Sequence, residues 1–314
     1  MSHQSVITLG AHVFDVLVRP VQAIPQGQGA TLVDQIRFSP AGTAAGTALT
    51  LAKLGAMVRT AGAVGTDAIG DLLLGMLEAQ GVDTSLVLRR DDTQTSASVL
   101  PIRPDGSRPA FHVLGANLSY GPDDAPHTEI ARATHLHMGA PELMGGDAAA
   151  KILGPAQAAG VVTSADLLAS GDSGLFDWIA PALPYLNHLL ANEEQVLRLT
   201  GAATLENGAR RFLAEGVGCV ATTQGARGAL VVTADEVIRV PAFAVEVVDT
   251  TGCGDAFSAG FLRGLGLGRT LRESAVLGCA AAALVAQGLG SDHGDFDLAA
   301  ADALAATAPA LEPR

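Results

Sequence analysis

Positive charge is scarce in this chain. Lys and Arg number 19 among 314 residues against 32 Asp and Glu, a formal charge of −13, so the summed field repels polyanions such as nucleic acid and anionic lipid. Lys53 and Lys151 are the only lysines and each follows Ala, so the chain holds no Gly-Lys-Ser/Thr phosphate loop. A phosphate must then be held by backbone amides or arginine. Cysteine is scarce as well. Cys219, Cys253 and Cys279 are an odd number at spacings that suit neither a zinc site nor a disulfide framework, which points to a reducing cytoplasm. Long apolar runs are missing too. Residues 274–291 carry no charge, but they are rich in Ala and Gly and only reach the minimum of about 18 apolar residues for a membrane span. A helix buried in a large core is expected there. The opening residues, MSHQSVITLGAHVFDVLV, place no basic segment ahead of an apolar one, so neither a secretory leader nor a membrane partner is expected.

Hydrophobic residues make up 48% of the chain, enough for a substantial core. Short β-branched runs alternate with longer Ala/Leu-rich stretches, the pattern of an α/β protein with a mostly parallel sheet and helices on its faces. Residues 6–9 read as the first strand, and 46–54 and 69–80 as helices, the second closed by Gly81. Later strands are expected at 161–163, 189–191, 217–222, 229–232 and 245–248. Residues 12–40 and 94–118 break this rhythm with alternating segments separated by Pro, Gly and Asp turns. They predict a small β lid on a single domain spanning residues 1–314.

The stretch VEVVDTTGCGDAFSAGFLRGL, residues 245–265, carries most of the chemistry. Phe257, Phe261 and Leu265 recur at i, i+4 and i+8, which marks an amphipathic helix. Gly252, Cys253 and Gly254 precede its stripe. Two glycines keep Cβ atoms away, so successive N–H groups can converge at the helix N-terminus, where the macrodipole also favours negative charge. Asp255 follows within the first turn, and a carboxylate facing a bound phosphate is repelled by it. The placement makes sense if Asp255 takes the proton of an incoming hydroxyl as that oxygen attacks a phosphoryl group. The amides of Gly252, Cys253 and Gly254 would stabilise the charge on that group. The competing reading is a helix-capping Asp. Cys253, a thiol at a helix N-terminus, is expected to have a lowered pKa.

The run from Asp249 to Phe257 (Asp-Thr-Thr-Gly-Cys-Gly-Asp-Ala-Phe) resembles the second signature of the phosphofructokinase-B/ribokinase family, Asp-Thr-x-Gly-Ala-Gly-Asp-x-Phe, with Cys253 in place of the usual Ala. The likeness extends over nearly the whole chain. It includes an early strand followed by Asp15, a Gly-rich helix opening at 40–46, and the run GAVGTDAIGDLL at 62–73. It implies a ribokinase-like three-layer α/β/α fold and transfer from ATP, with Mg2+, to a hydroxyl of a small sugar or sugar derivative. Asp255 is the general base in that scheme. By the same resemblance Asp15, Gly42, Thr43, Gly46 and Glu142 bind the acceptor, and Asn192, Thr223, Gly225, Gly228 and Gly288 bind the nucleotide. Asp249 and Thr251 hold a monovalent cation such as K+, and Glu194 meets Mg2+ through water. Relatives often pair through the lid, which implies a homodimer.

The chain departs from the family's pattern at three places. Gly46 stands where many of its sugar kinases carry Asn, Leu167 and Leu168 follow Asp166 where relatives read Asp-Pro-Asn, and Gln195 closes an Asn-x-x-Glu-like run that starts at Asn192. Two alternatives stay open beside a sugar kinase. One is a nucleoside kinase using Phe14, Phe38 or Phe111 of the lid to hold the base. The other is a non-catalytic ligand-binding member. Simpler readings also stand for single residues: a turn at Asp15, a tight turn at 41–46 and a capped helix start at Asn192. His135 and His137 read as sheet residues rather than metal ligands, and the acidic loop 292–297 as solvated.

Overall fold

The computed structural model describes residues 4–104, 107–168, 171 and 173–307. Its strands are β1 Ser5–Gly10, β2 Val13–Arg19, β3 Gln35–Ala41, β4 Met57–Gly65, β5 Asp83–Arg90, β6 Ala97–Pro101, β7 Phe111–Val113, β8 His135–Gly139, β9 Val162–Asp166, β10 His188–Asn192, β11 Cys219–Thr223, β12 Ala229–Val232 and β13 Val237–Val240. Its helices are α1 Thr43–Lys53, α2 Ala68–Ala79, α3 His127–Ile130, α4 Gly146–Ala158, α5 Ser173–Ile179, α6 Glu193–Thr200, α7 Leu205–Ala214, α8 Cys253–Gly266, α9 Leu271–Val285 and α10 Leu298–Ala305.

Nine strands form one sheet in the order β13-β12-β11-β10-β9-β8-β1-β4-β5. Every pairing is parallel except the β11–β12–β13 meander at one edge. A parallel strand covered by helices on both faces must be apolar on both, and β1 meets that demand. Ile7 and Leu9 pack into the layer that holds α4, α5 and α7, whereas Val6 packs into the layer that holds α1, α2, α8 and α9. Helices α8 and α9 run so close together that a Cβ on Gly260 would lie 2.7 Å from Gly278 Cα. Glycine inside a helix costs about 1 kcal/mol against alanine, and backbone contact between these helices offsets it. A Thr270–Glu273 capping box opens α9. Among the described residues no helix is long and apolar enough to cross a membrane.

The strand expected at 245–248 does not form. Pro241 ends the meander after Val240, and the chain then leaves the sheet. The amides of Val248 and Asp249 donate to Ala286 O at 2.8 and 3.3 Å, at the end of α9. The β-branched run is apolar because it walls a groove, not because it joins the sheet.

The two rhythm-breaking stretches supply a second sheet, β3-β2-β6-β7. Side chains alternate along its strands, so its two faces differ. One carries a row of Ser39, Asp15, Ser98 and His112, and the next row on that face holds Leu17 and Leu100. The other carries Phe38, Val16, Val99 and Phe111. The first face is turned inward. Leu17, Leu100 and Ile102 pack on Leu289, and Asp292 accepts from Arg37 Nη2 at 3.0 Å and from Ser39 Oγ at 2.7 Å. At the root, the Asn117 amide pairs with both the N–H and the C=O of His12, each at 3.0 Å. The lid is thus seated on the loop after α9.

Candidate active site

Helix α8 begins with Gly252 in the left-handed region, φ 75°. Its lack of a Cβ matters twice, because the conformation suits glycine and because a Cβ would lie 2.5 Å from that of Ser291. Cys253 N–H donates to Thr250 O at 3.3 Å and Ala256 N–H to Gly252 O at 2.8 Å. Among the described residues no partner is recorded for the amides of Gly252, Gly254 and Asp255. Of the three donors expected from the sequence, Cys253 is therefore engaged, and Asp255 N–H joins the set instead.

The Asp255 carboxylate is half-buried in the first turn of α8. Burial holds its pKa well above the usual carboxylate value, the charges of Asp166 and Asp15 push it further the same way, and Arg108 opposes them. Gly46 of α1 lies directly against it: a Cβ there would sit 2.8 Å from Asp255 Cγ. The lowered pKa expected for Cys253 is not found. Burial, with the charges of Asp249 and Asp255 adding to it, pushes the thiol up to about 12, and its Sγ points to Ala282 O at 3.6 Å. Desolvation outweighs the helix dipole.

Two adjoining cavities meet at this helix start. The larger, about 540 Å³, has apolar walls that include Phe243, Val245, Val247, Ala283 and Ala286, and Thr223, Gly225 and Gly228 also line it. The smaller, about 70 Å³, is lined by Asp166, Asn192, Gln195 and Asp255 among others. Thr223, Gly254 and Phe257 line both. Asp166 is buried, and its Oδ1 has no hydrogen-bond partner. Its Oδ2 lies 3.4 Å from His137 Nε2 beneath it.

Other residues singled out from the sequence lie outside the groove or are already engaged by neighbours. Gly288 does not line the groove but packs against the His293 ring; α9 borders the groove through Cys279, Ala282, Ala283 and Ala286 instead. Glu194 points to solvent and pairs with Arg198 at 3.1 Å on the exposed face of α6, a place the helical period dictates for the second residue after the cap. Gln195 is spent as well. Its Oε1 accepts from Asn192 N–H at 2.8 Å and its Nε2 donates to Leu167 O at 2.8 Å. Glu142 is buried, with Oε1 accepting from Leu168 N–H at 2.7 Å. Asp249 accepts from Thr251 N–H, Thr251 Oγ1 and Gly290 N–H at 3.0, 2.9 and 3.0 Å, so the K+ expected at Asp249 and Thr251 would meet side chains already engaged.

On the acceptor side, Asp15 is buried on the inner lid face. Burial raises its pKa to about 6; Ser98 and Arg108 oppose the rise and Asp249 adds to it. Gly42, φ 93°, opens α1 beside the hinge, where a Cβ would meet Ala11 O at 2.5 Å. Thr43 follows it, buried, with no partner for Oγ1. Sequence reasoning missed Arg108. It donates from the lid to Thr251 Oγ1 at 2.5 Å and to Thr250 O at 3.4 Å, and its charge reaches Asp15, Cys253 and Asp255. An arginine in a Pro- and Gly-bounded turn of an acidic chain was the available signal.

The description "pfkB family carbohydrate kinase" matches residues 4–295. The chain belongs to that family. An ATP-dependent ribose-1-phosphate kinase of Halopiger xanaduensis is 33% identical over 266 residues, 82% of this chain and 83% of its own. A nucleoside kinase of Methanothermobacter thermautotrophicus is 25% identical over 293 residues, 92% and 91% of the two chains. The structure of Arabidopsis thaliana ribokinase complexed with ribose and ATP shares the fold at TM-score 0.85 and 23% identity, covering 98% of this chain and 100% of that one. Kinase chemistry on a sugar or nucleoside follows from membership of the family.

Within a pfkB kinase the contact at Gly46 gives a direct test. Gly46→Ala should lower turnover at least about tenfold by displacing the Asp255 carboxylate, while the melting temperature holds or rises, because alanine favours a helix by about 1 kcal/mol. Unchanged turnover in a steady-state assay would show that Gly46 does not set the position of Asp255.

Proposed function

We propose that the protein transfers the terminal phosphoryl group of ATP to a hydroxyl of a small sugar or sugar derivative, with Asp255 accepting the hydroxyl proton. One observation carries this reading: the apolar groove and the carboxylate cavity share Thr223, Gly254 and Phe257. A flat base fits the Ala- and Val-walled groove. Its phosphates then lie over the N-terminus of α8, at the amides of Gly254 and Asp255. The terminal phosphoryl faces the small cavity, where Asp255 waits.

Asp255 has the chemistry of a base for this step. A pKa raised by burial and by two carboxylate neighbours strengthens its hold on a proton. The free amides stabilise charge on the phosphoryl oxygens, and Arg108 adds a cation from the lid. Asp166 fits Mg2+: Oδ1 is a buried, unpartnered hard oxygen beside Asp255, and Mg2+ takes one or two carboxylates with the phosphates supplying the rest. The ion would neutralise phosphate charge during transfer. Asn192, Thr223, Gly225 and Gly228 serve the nucleotide side, while Asp15, Gly42, Thr43 and Gly46 serve the acceptor side.

The lid favours a sugar over a nucleoside. Phe14, Phe38 and Phe111 alternate with Asp15, Ser39 and His112 on their strands, so all three rings lie on the face opposite Asp15 and none can stack on an acceptor held by it. That opposite face exposes Ile36, Phe38, Val99 and Phe111, a patch of the kind that marks an interface. A second copy of the chain is its proposed partner, since a matching lid presents the same apolar surface.

Four outcomes test these readings. With MgATP and a panel of ribose, fructose, ribose 1-phosphate and adenosine, a sugar acceptor should yield its phosphate ester. Asp255→Asn should cut that turnover at least about 1,000-fold while ATP binding by calorimetry persists; activity retained in the variant removes Asp255 from the mechanism. The acceptor kcat/KM should fall about tenfold per pH unit below about 6, since Asp15 binds hydroxyls as a carboxylate and is protonated there; a flat profile from pH 7 to 5 contradicts that role. In sedimentation, the wild-type chain should run as a dimer and Phe111→Asp as a monomer, and a monomeric wild type would refute pairing through the lid.

A further inference from the structure

Lys53 is one of two lysines in the chain, and it closes α1, whose other end carries Gly42, Thr43 and Gly46. Its Nζ donates to three consecutive carbonyls of the loop after α9, those of Asp292, His293 and Gly294, at 2.8, 3.2 and 2.6 Å. All three protons of the ammonium are thereby used. Three carbonyl dipoles aimed at one point repel one another, so the arrangement calls for a charge at its centre and not merely a neutral donor. The ammonium also lies over the Phe296 ring, with Nζ 5.1 Å from its centroid. Beyond this clamp the same loop meets the lid. Asp292 accepts from Ser39 Oγ at 2.7 Å and from Arg37 Nη2 at 3.0 Å. In the β2–β3 pairing Ser39 lies opposite Asp15 and Arg37 opposite Leu17, and Leu17 packs on Leu289 of that loop.

We propose that Lys53 is a positioning residue for acceptor binding: its ammonium gathers the carbonyls of 292–294 so that Asp292 stands where Ser39 and Arg37 of the lid reach it, which holds the row containing Asp15 over the cleft. The kinetic part of this inference rests on the kinase reading, whereas the clamp itself does not. Every link from Nζ to the lid is a hydrogen bond or the loop's own backbone, and Ser39 and Asp15 face each other across the ladder. Helix α1 then serves as a common frame. Gly46 near its start lies against Asp255, and Lys53 at its end sets the seat of the lid, so both carboxylates are referred to one helix of 11 residues.

The clamp is tested without any substrate. In Lys53→Met, which keeps an apolar stem but removes the donors, amide hydrogen exchange over 288–294 should quicken at least about tenfold, while α9 stays within about twofold of wild type. Unchanged exchange in that loop overturns the clamp whichever acceptor the enzyme uses. In kinetics, Lys53→Met and Lys53→Ala should each raise the acceptor KM about tenfold, with kcat and the ATP KM within about threefold of wild type. n-Propylammonium, the part of the side chain that alanine lacks, should bring the acceptor KM of Lys53→Ala back to within about threefold of wild type, and n-propanol, of similar shape but uncharged, should not. Ser39→Ala should raise the same KM, and the double variant of Lys53→Met with Ser39→Ala should be no worse than the worse single one. An unchanged acceptor KM, an ATP KM that rises equally, rescue by neither compound or by both alike, or multiplied effects in the double variant would each sink the positioning role. Absence of turnover with every acceptor in the wild type would overturn the kinase reading and the kinetic role of Lys53 with it, while the exchange result still decides the clamp.

Discussion

Asp15, Asp166 and Asp255 converge on one cleft from a lid strand, a sheet strand and a helix, with Asp249 close behind them. Burial of these groups is the main cause of the raised pKa values of Asp15 and Asp255, and like charges, which oppose one another's ionisation at low dielectric, add to it: Asp249 at Asp15, and Asp166 and Asp15 at Asp255. Much of the surrounding structure answers it. The start of α8 supplies unpaired amides, Asp249 is spent on Thr251 and Gly290, and the lid contributes Arg108. A chain with so few cations leaves its cleft electrically unfinished. On the function proposed here, a nucleotide held with a divalent cation would enter through the apolar groove and supply the missing positive charge at Asp166.

Closure of the lid follows from the same balance. Arg108 reaches from the lid to the loop before α8, and the seat is made by groups of opposite kind: Leu17 and Leu100 on Leu289, and Arg37 and Ser39 on Asp292. Lys53 secures the other side of that loop, donating to the carbonyls of Asp292 and Gly294 at 2.8 and 2.6 Å. The loop after α9 is therefore gripped by a lid strand, by α1 and, through Gly290 and Asp249, by the segment that opens α8. Water exclusion around a transferring phosphoryl group requires such a joined-up closure. The exposed ion pair Glu194–Arg198, by contrast, adds little at the surface.

The sequence made the helix start of α8 legible because the signal there is local: two glycines, an acid and an i, i+4 apolar stripe describe one turn of backbone. The large parallel sheet was legible for a similar reason, since β1 and β10 are short apolar runs between turn signals. What stayed hidden depends on distant partners. Residues 245–248 have strand composition, but Pro241 and the carbonyl of Ala286 decide their path. Glycine at 288 suits a flat ligand equally well as it suits the His293 ring that occupies the space. Cys253 has the position of an activated thiol, yet burial by α9, out of sight in the local sequence, reverses the shift. Arg108 carries no motif of its own and Asp166 keeps only the acid of one, and only folding shows that the charges of both act on Asp255.

The lid shows how far a simple periodicity reaches into function. Side chains on a strand alternate, so a slip of one residue in β2 would exchange Asp15 for Phe14 on the inner face. The register is fixed by demands from both sides: Leu17 must reach Leu289, while Phe14 must reach the core beside α1 and pack its ring 5.4 Å from that of Phe38. Neither demand concerns the acceptor. Yet together they place a carboxylate, two serines and a histidine in one row over the cleft and turn the aromatic rings away from it. The proposed preference for a polyhydroxylated acceptor over a stacked base would thus be a consequence of how the lid packs, and a substitution at Asp15 alone would leave in place the apolar residues that hold the register.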